Sequence, residues 1–148
     1  MNYRTKFALT ATLIMGLLST MSWAAAGEMV TLYKNPQCTC CEIYAQYLRD
    51  NGFEVTVVPT NDLATLNEKY GIPSELQGCH LSLINGRAIG GHVPVDIVKR
   101  FLSEKPSNTA ISIPGMPAGG PGMMPGEKTG PYTVYSISGG SSSVYATE

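Results

Sequence analysis

The positions of apolar residues between residues 29 and 103 alternate between short strand-like runs and longer runs with a helical period. Four short runs, rich in apolar and β-branched residues, predict strands: residues 29–34, 53–58, 81–84 and 87–89. Three runs with apolar residues on one side of a helix predict helices: residues 42–50, 61–70 and 94–103. Asn51-Gly52 ends the first helix, and Asn85-Gly86, between the last two strands, is a strong signal for a tight hairpin.

The order of these elements predicts an α/β fold with a mixed sheet. A strand followed by a crossover helix and a second strand implies a parallel pair, and the hairpin implies an antiparallel pair at the edge. The elements follow the order of a thioredoxin or glutaredoxin domain: strand, cysteine loop, helix, strand, helix, strand, hairpin, strand, helix. The sequence therefore predicts a thioredoxin-like three-layer domain over residues 27–105.

The composition changes from residue 106 onward. Residues 113–126, here called the flap, are dominated by proline and glycine, which break both helices and strands. Residues 131–137 and 144–147 then predict two short strands. We interpret residues 106–148 as a Met/Pro/Gly-rich flap and a C-terminal strand pair that belong to the same domain.

The first 26 residues have the organisation of a secretory signal peptide. Arg4 and Lys6 precede an uncharged, mostly apolar run, and Ala24-Ala25-Ala26 offers a small-residue cleavage site. The run is shorter than the ~20 apolar residues that span a bilayer. The sequence thus predicts an exported, periplasmic protein that begins near Gly27 and has no stable membrane association after cleavage.

The charge of this mature chain excludes one class of partner. Eight of the ten basic residues remain, against eleven acidic residues, which gives a net charge of −3. The basic residues are scattered, so the chain lacks the electrostatic footprint of a nucleic-acid-binding protein.

Three of the four cysteines lie within four residues, at Cys38, Cys40 and Cys41, directly before the first predicted helix. Thiolates are nucleophiles and ligands for soft metals, and the start of a helix favours negative charge. Cys38 and Cys41 have the C-x-x-C spacing of a redox pair, but Cys40 adds a thiol that disulfide exchange does not need. Because successive helical side chains point ~100° apart, we expect Cys40 and Cys41 to bridge neighbouring ions rather than clamp one.

The loop before the hairpin carries Cys79 and His80. In a thioredoxin-like domain this loop faces the cysteine loop and usually holds a proline, which is absent here. We therefore predict Cys79 as a fourth ligand and keep His80 as a candidate that ligates metal, orients a thiolate or bonds to backbone. His92 follows Gly90-Gly91, and we favour a surface or helix-capping role for it over the alternative of a metal ligand.

Three methionines lie on the flap: Met116, Met123 and Met124. Thioether sulfur is soft and stays a ligand in an oxidising compartment, which suits copper(I). Methionine is also an adaptable packing residue, so the flap methionines have two interpretations, as copper ligands or as packing against the domain.

Other uses of four cysteines lead to other functions. A closed tetrahedral zinc site is one, although structural zinc sites usually use two separated C-x-x-C-like pairs. Disulfide staples are another, as expected in an oxidising compartment. A thiol–disulfide oxidoreductase that uses Cys38 and Cys41 is the third. The sequence has no paired carboxylates, serine triad or phosphate loop, so hydrolase and kinase activities have no support.

Four motifs together resemble the CopG-like family of periplasmic copper-resistance proteins: Tyr33-Lys34-Asn35-Pro36-Gln37-Cys38-Thr39-Cys40-Cys41, Gly78-Cys79-His80, Gly90-Gly91-His92-Val93-Pro94 and Pro114-Gly115-Met116-Pro117 through Pro121-Gly122-Met123. The resemblance implies a thioredoxin-like fold and a cysteine-rich copper(I) site that holds one or several ions. By position, it matches the four cysteines, Met116 and Met123 to the family motif. Thr39 replaces a commoner glycine and Gly120 a common serine, neither of which removes a ligand.

The leading hypothesis is therefore a periplasmic copper(I)-binding protein that sequesters or relays copper. Its partners would be copper ions and other periplasmic copper-handling proteins. Binding rather than catalysis is the expected role, and the oxidoreductase is the alternative. A protein whose cluster changes the redox state of copper or of thiols lies between the two.

Overall fold

The computed structural model describes residues 27–104, 107, 109–115, 118–123, 128 and 130–148. The predicted signal peptide lies outside these residues. The strands are β1 (Met29–Lys34), β2 (Glu54–Pro59), β3 (His80–Ile84), β4 (Arg87–Gly90), β5 (Ala110–Ser112), β6 (Thr133–Ser138) and β7 (Ser141–Thr147). The helices are α1 (Thr39–Asp50), α2 (Leu63–Lys69) and α3 (Val95–Glu104), with a short 3₁₀ turn at Ser74–Leu76.

The strands form one mixed sheet in the order β2-β1-β3-β4-β5-β6-β7. β1 runs parallel to β2 and antiparallel to β3, and β4 runs parallel to β5. Asn85 and Gly86 join β3 to β4 with φ angles of 50° and 78°, as a two-residue hairpin with two positive φ angles requires. The mixed sheet and the hairpin predicted from the sequence are confirmed.

Helices cover both faces of this sheet, which makes the domain three-layered. α1 and α3 pack on one face against apolar side chains from β1, β3, β4, β5 and β6. α2 and the 3₁₀ turn pack on the other face. The two buried clusters contain alternating residues of the same strands, as the period of two along a strand dictates. The predicted thioredoxin-like class is confirmed.

The largest differences from the sequence prediction concern α1, β5 and β7, and β7 begins at Ser141 rather than at residue 144. α1 begins at Thr39 rather than at residue 42, so Cys40 and Cys41 lie in its first turn. β5 was not predicted because its three residues are too short to show a period. β5 joins β4 to β6, so the C-terminal strands continue the same sheet. No helix among the described residues is long and apolar enough to cross a membrane.

The register of β1 against β3 determines where the cysteines meet. Lys34, the last residue of β1, lies opposite His80, the first residue of β3. The loop that follows Lys34 and the residue that precedes His80 therefore lie at the same edge of the sheet. That loop leads to Cys38, and the preceding residue is Cys79.

Candidate metal centre

The sulfur atoms of all four cysteines lie within 4.8 Å of one another. The Sγ atom of Cys40 is 3.3 Å from that of Cys38 and 3.6 Å from that of Cys79. The Sγ atoms of Cys41 and Cys79 are 3.4 Å apart. The sequence separates Cys79 from Cys41 by 38 positions, so it is the fold that completes the cluster.

Cys38 and Cys41 are joined by a disulfide bond, with their Cα atoms 5.6 Å apart. Cys38 is the N-cap residue of α1, and Cys41 is buried in its first turn. Cys40 and Cys79 do not take part in this bond and are half-buried. The cluster is therefore shown with the C-x-x-C pair oxidised, and two electrons and two protons convert it to four thiols.

A buried lysine shapes the loop that presents Cys38. The side chain of Lys34 is only 4% exposed, and its ammonium group donates to the carbonyl oxygens of Asn35, Pro36 and Cys38 at 3.3, 3.2 and 3.1 Å. It also pairs with Glu42 at 3.3 Å. One ammonium group thus satisfies three carbonyls of the cysteine loop and ties the loop to α1.

Substitution of Lys34 by methionine tests this role. The variant keeps the aliphatic stem but removes a charged donor from three carbonyls, of which that of Asn35 still accepts from the Cys38 amide, so we expect a loss of about 2–3 kcal/mol in the free energy of unfolding. Urea denaturation of the reduced protein measures it. Lys99→Met, at an exposed position of α3, is the matched control and should change stability by less than about 0.5 kcal/mol. Equal stability of the two variants would contradict the role.

Glycines let the Cys79 segment approach its neighbours closely. A Cβ atom on Gly78 would lie 2.7 Å from the Cα atom of Gly91, so this position has no room for a side chain. The Gly91 amide donates to the carbonyl of His80 at 3.1 Å. Burial, followed by contact with Cys40, raises the pKa of the Cys79 thiol to about 12. Without a metal Cys79 is therefore a neutral thiol, and a bound cation would displace its proton.

Two fully buried histidines, His80 and His92, flank Cys79. Nδ1 of His80 is 3.6 Å and Nε2 of His92 is 3.7 Å from the Cys79 sulfur. Burial, then the nearby His92, lowers the pKa of His80 to about 3. Burial also lowers the pKa of His92, against an opposing contribution from the Pro121 carbonyl. Both rings are neutral and can offer a nitrogen lone pair.

The interpretation of His92 as a surface or capping histidine is wrong. Its side chain is buried, and α3 begins only at Val95. Cys79, His80 and His92 form a second group of potential metal ligands whose donor atoms lie within 4.8 Å of one another. The place of His92 in the site could not be predicted from the local sequence, because it depends on β4, which returns the chain to the site. The signal was the Gly90-Gly91 pair before it, which allows the backbone to turn into the site.

The Tyr44 ring packs against the rings of both histidines. Its ring centroid lies 4.6 Å from that of His80 and 5.2 Å from that of His92. Its hydroxyl donates to the carbonyl of Val93 at 2.7 Å. Tyr44 is buried in the core.

The described part of the flap packs against this site. The carbonyl of Pro121 is 2.9 Å from Nδ1 of His92. A Cβ atom on Gly122 would lie 2.5 Å from the Cα atom of Tyr44. Met123 follows directly and is half-buried. Met116 and Met124 lie outside the described residues.

The fold and the site define a class of protein, a thioredoxin-like α/β domain with a four-cysteine cluster and two buried histidines. Residues 76–123, which include Cys79, both histidines and part of the flap, match a family model described as "Protein of unknown function, DUF411". Two solved structures, "Copper resistance protein copG" Form 1 and Form 2, each match with 30% identity and a TM-score of 0.76. Each match covers 82% of this chain and 98% of that chain. No curated protein sequence matches. The chain belongs to the CopG-like family.

Proposed function

We propose that this protein is an exported copper(I)-binding protein that sequesters or relays copper in the periplasm as part of copper resistance. The observation that carries the proposal is the group of four cysteine sulfurs within 4.8 Å. Thiolates are the ligands that copper(I) prefers, and membership of the CopG-like family supports copper over other soft metals. Mass spectrometry of the protein from the periplasmic fraction tests export. The intact mass should correspond to a chain that begins near Gly27.

The arrangement of the sulfurs favours copper over structural zinc. Zinc sites of the Cys₄ type usually draw ligands from two separated C-x-x-C-like pairs. Here three cysteines come from one helix start, and Cys79 comes alone from the loop that precedes β3. Methionine sulfur on the flap would add a soft ligand that zinc does not use.

We further propose that the site holds more than one copper ion. Cys40 and Cys41 are adjacent on α1, yet both sulfurs lie within 3.6 Å of the Cys79 sulfur. A thiolate can bridge two copper(I) centres, so Cys79 is placed to link an ion held by Cys40 to one held by Cys41.

Copper binding by all four cysteines would follow reduction of the Cys38–Cys41 disulfide. A dithiol reductant supplies the two electrons: its thiolate attacks one sulfur, the mixed disulfide resolves, and two cysteine thiols form. Copper(I) then replaces their protons. Oxidation of the pair would return the structure observed here and leave Cys40 and Cys79 as the remaining sulfur ligands.

The Cys38–Cys41 disulfide itself favours a second candidate function, a thiol–disulfide oxidoreductase. Its C-x-x-C pair at the start of α1 has the place of a redox pair in a thioredoxin-like domain. Two features oppose high activity. Cys79 lies 3.4 Å from the Cys41 sulfur, so a third thiol adjoins the pair. The loop that faces the pair carries Cys79 and His80 where a redox domain of this fold usually holds a proline.

An insulin-reduction assay with dithiothreitol compares the two functions. We expect the copper-loaded protein to show almost no turnover, because copper occupies the thiolates. We expect the metal-free protein to be slow, because neighbouring thiols react with the disulfide in place of insulin. Thioredoxin is the positive control, and Cys38→Ser gives the background rate. Turnover by the metal-free protein at a rate comparable to that of thioredoxin, lost in Cys38→Ser, would favour the oxidoreductase.

A further inference from the structure

Lys34 places a buried positive charge beside the cysteine cluster. Its side chain is 4% exposed, and its ammonium group donates to the Cys38 carbonyl at 3.1 Å. Cys38 is the N-cap residue of α1, and its sulfur lies 3.3 Å from that of Cys40. The ammonium group thus contacts a residue of the cluster, at the end of α1 where the helix dipole is also positive.

The hydrogen bonds of Lys34 do not by themselves account for a charged residue at this position. A neutral donor can serve a carbonyl oxygen, whereas burial of an ammonium group costs free energy because the group loses its hydration. Among the described residues, Glu42 is the carboxylate that pairs with Lys34, at 3.3 Å, and its side chain is 54% exposed. Water screens so exposed a partner. Glu42 therefore compensates the ammonium charge only in part.

The reduced cluster becomes anionic when copper(I) binds. Each thiol that binds copper releases its proton to the solvent. Four thiolates carry four negative charges and each copper(I) ion adds one positive charge, so the site has a net negative charge until four ions are bound. The negative charge is largest for the first ion. A cation close by stabilises it, and more strongly inside the protein than in water.

We propose that the buried Lys34 ammonium group is the counter-charge of the copper–thiolate site and raises its affinity for the first copper(I) ion, while the Glu42 carboxylate opposes it and lowers that affinity. Lys34 does not touch the ion and acts through the charge of the cluster. This inference rests on the proposed copper function, because it assigns an electrostatic role in that site to two residues that are not ligands.

Glu42 makes the electrostatic role distinguishable from a structural one. It lies in the first turn of α1, and its carboxylate holds the Lys34 ammonium group. If the ion pair only fixes the cysteine loop, removal of the carboxylate loosens the loop, and copper affinity falls or stays the same. If the two charges act on the cluster, the carboxylate disfavours an anionic site, and its removal raises copper affinity.

The variant Glu42→Gln tests this difference in sign. We expect it to bind copper(I) about threefold more tightly than the wild-type protein, an effect in the range of a partly exposed charge. Competition with a chromophoric copper(I) chelator measures the affinity, with reduced protein, fixed pH and less than one copper per chain. Glu68→Gln, at an exposed position of α2 on the other face of the sheet, is the matched control and should leave the affinity unchanged.

Two substitutions of Lys34 test the counter-charge itself. Lys34→Met removes the charge, and we expect it to weaken the binding of the first copper(I) ion about tenfold, the lower end of effects from groups around a metal site. Lys34→Arg keeps the charge and should stay within about threefold of the wild-type affinity. Lys99→Met removes an exposed charge from α3 and should leave the affinity unchanged.

The outcomes separate this inference from the proposed function. If copper(I) produces no thiolate-to-copper absorption in the wild-type protein, the copper function fails and the inference falls with it. If that absorption appears while Glu42→Gln binds copper no more tightly than the wild-type protein, the copper function stands and the electrostatic role is wrong. Equal weakening in Lys34→Arg and Lys34→Met would also overturn it. The exposed position of Glu42 keeps the test decisive even if a Lys34 variant does not fold.

Discussion

Substitution of Cys79 by serine is expected to lower copper(I) affinity about 100-fold or more while the protein remains folded. Loss of an orienting group alone costs up to about 100-fold in metal affinity, and Cys79 is the sulfur that contacts both Cys40 and Cys41. Serine is similar in size to cysteine but supplies a hard oxygen. Competition with a chromophoric copper(I) chelator, under anaerobic conditions, measures the affinity.

Ser82→Ala, three residues further along the chain in β3, is the matched control. Ser82 is buried, and its hydroxyl has no hydrogen-bond partner among the described residues. Its removal should leave copper affinity unchanged and should not destabilise the fold, because no made hydrogen bond is lost. Far-ultraviolet circular dichroism checks that both variants are folded. Unchanged copper affinity in Cys79→Ser would mean that Cys79 is a core thiol rather than a ligand.

Substitution of Gly78 by alanine is expected to destabilise the protein by forcing two backbone segments apart beside the site. The added Cβ atom would lie 2.7 Å from the Cα atom and 3.0 Å from the nitrogen of Gly91. Both neighbours are backbone atoms, so the two segments must separate. Overpacking of this kind costs about 1–3 kcal/mol, which urea denaturation of the reduced, metal-free protein measures.

Gly130→Ala adds the same methyl group where nothing lies within 4 Å. This control should change the free energy of unfolding by less than about 0.5 kcal/mol. Gly78→Ala should also weaken copper(I) binding, since separation of the two segments moves Cys79 away from His92. If Gly78→Ala has the stability and copper affinity of Gly130→Ala, the close approach of these segments is not required.

The order and type of the main elements could be predicted because their signals are local. The hairpin at Asn85-Gly86 needs positive φ angles that these residues adopt readily, and the three helices show clear apolar faces. The start of α1 was predicted too late because Cys40 and Cys41 were assigned to the cysteine loop rather than to the helix. β5 was missed because three residues carry no period, and its pairing with β4 is a tertiary contact.

The part of the site that follows from the thioredoxin-like order of elements could be predicted. That order placed Cys79 opposite the Cys38–Cys41 loop, and the structure brings these sulfurs together. The buried state of His92 depends on β4 returning to the site and on the flap covering it, which local sequence does not encode. The role of Lys34 was missed for the same reason, since a lysine at the end of a strand is usually exposed.

Anaerobic titration of the reduced, metal-free mature protein with copper(I) tests the central claim most directly. A free-thiol count of four per chain establishes the starting state, and thiolate-to-copper absorption follows the binding. The account predicts an endpoint above one copper per chain and no displacement by a matched concentration of zinc. An endpoint at one copper, or a preference for zinc over copper(I), would contradict the polynuclear copper(I) site.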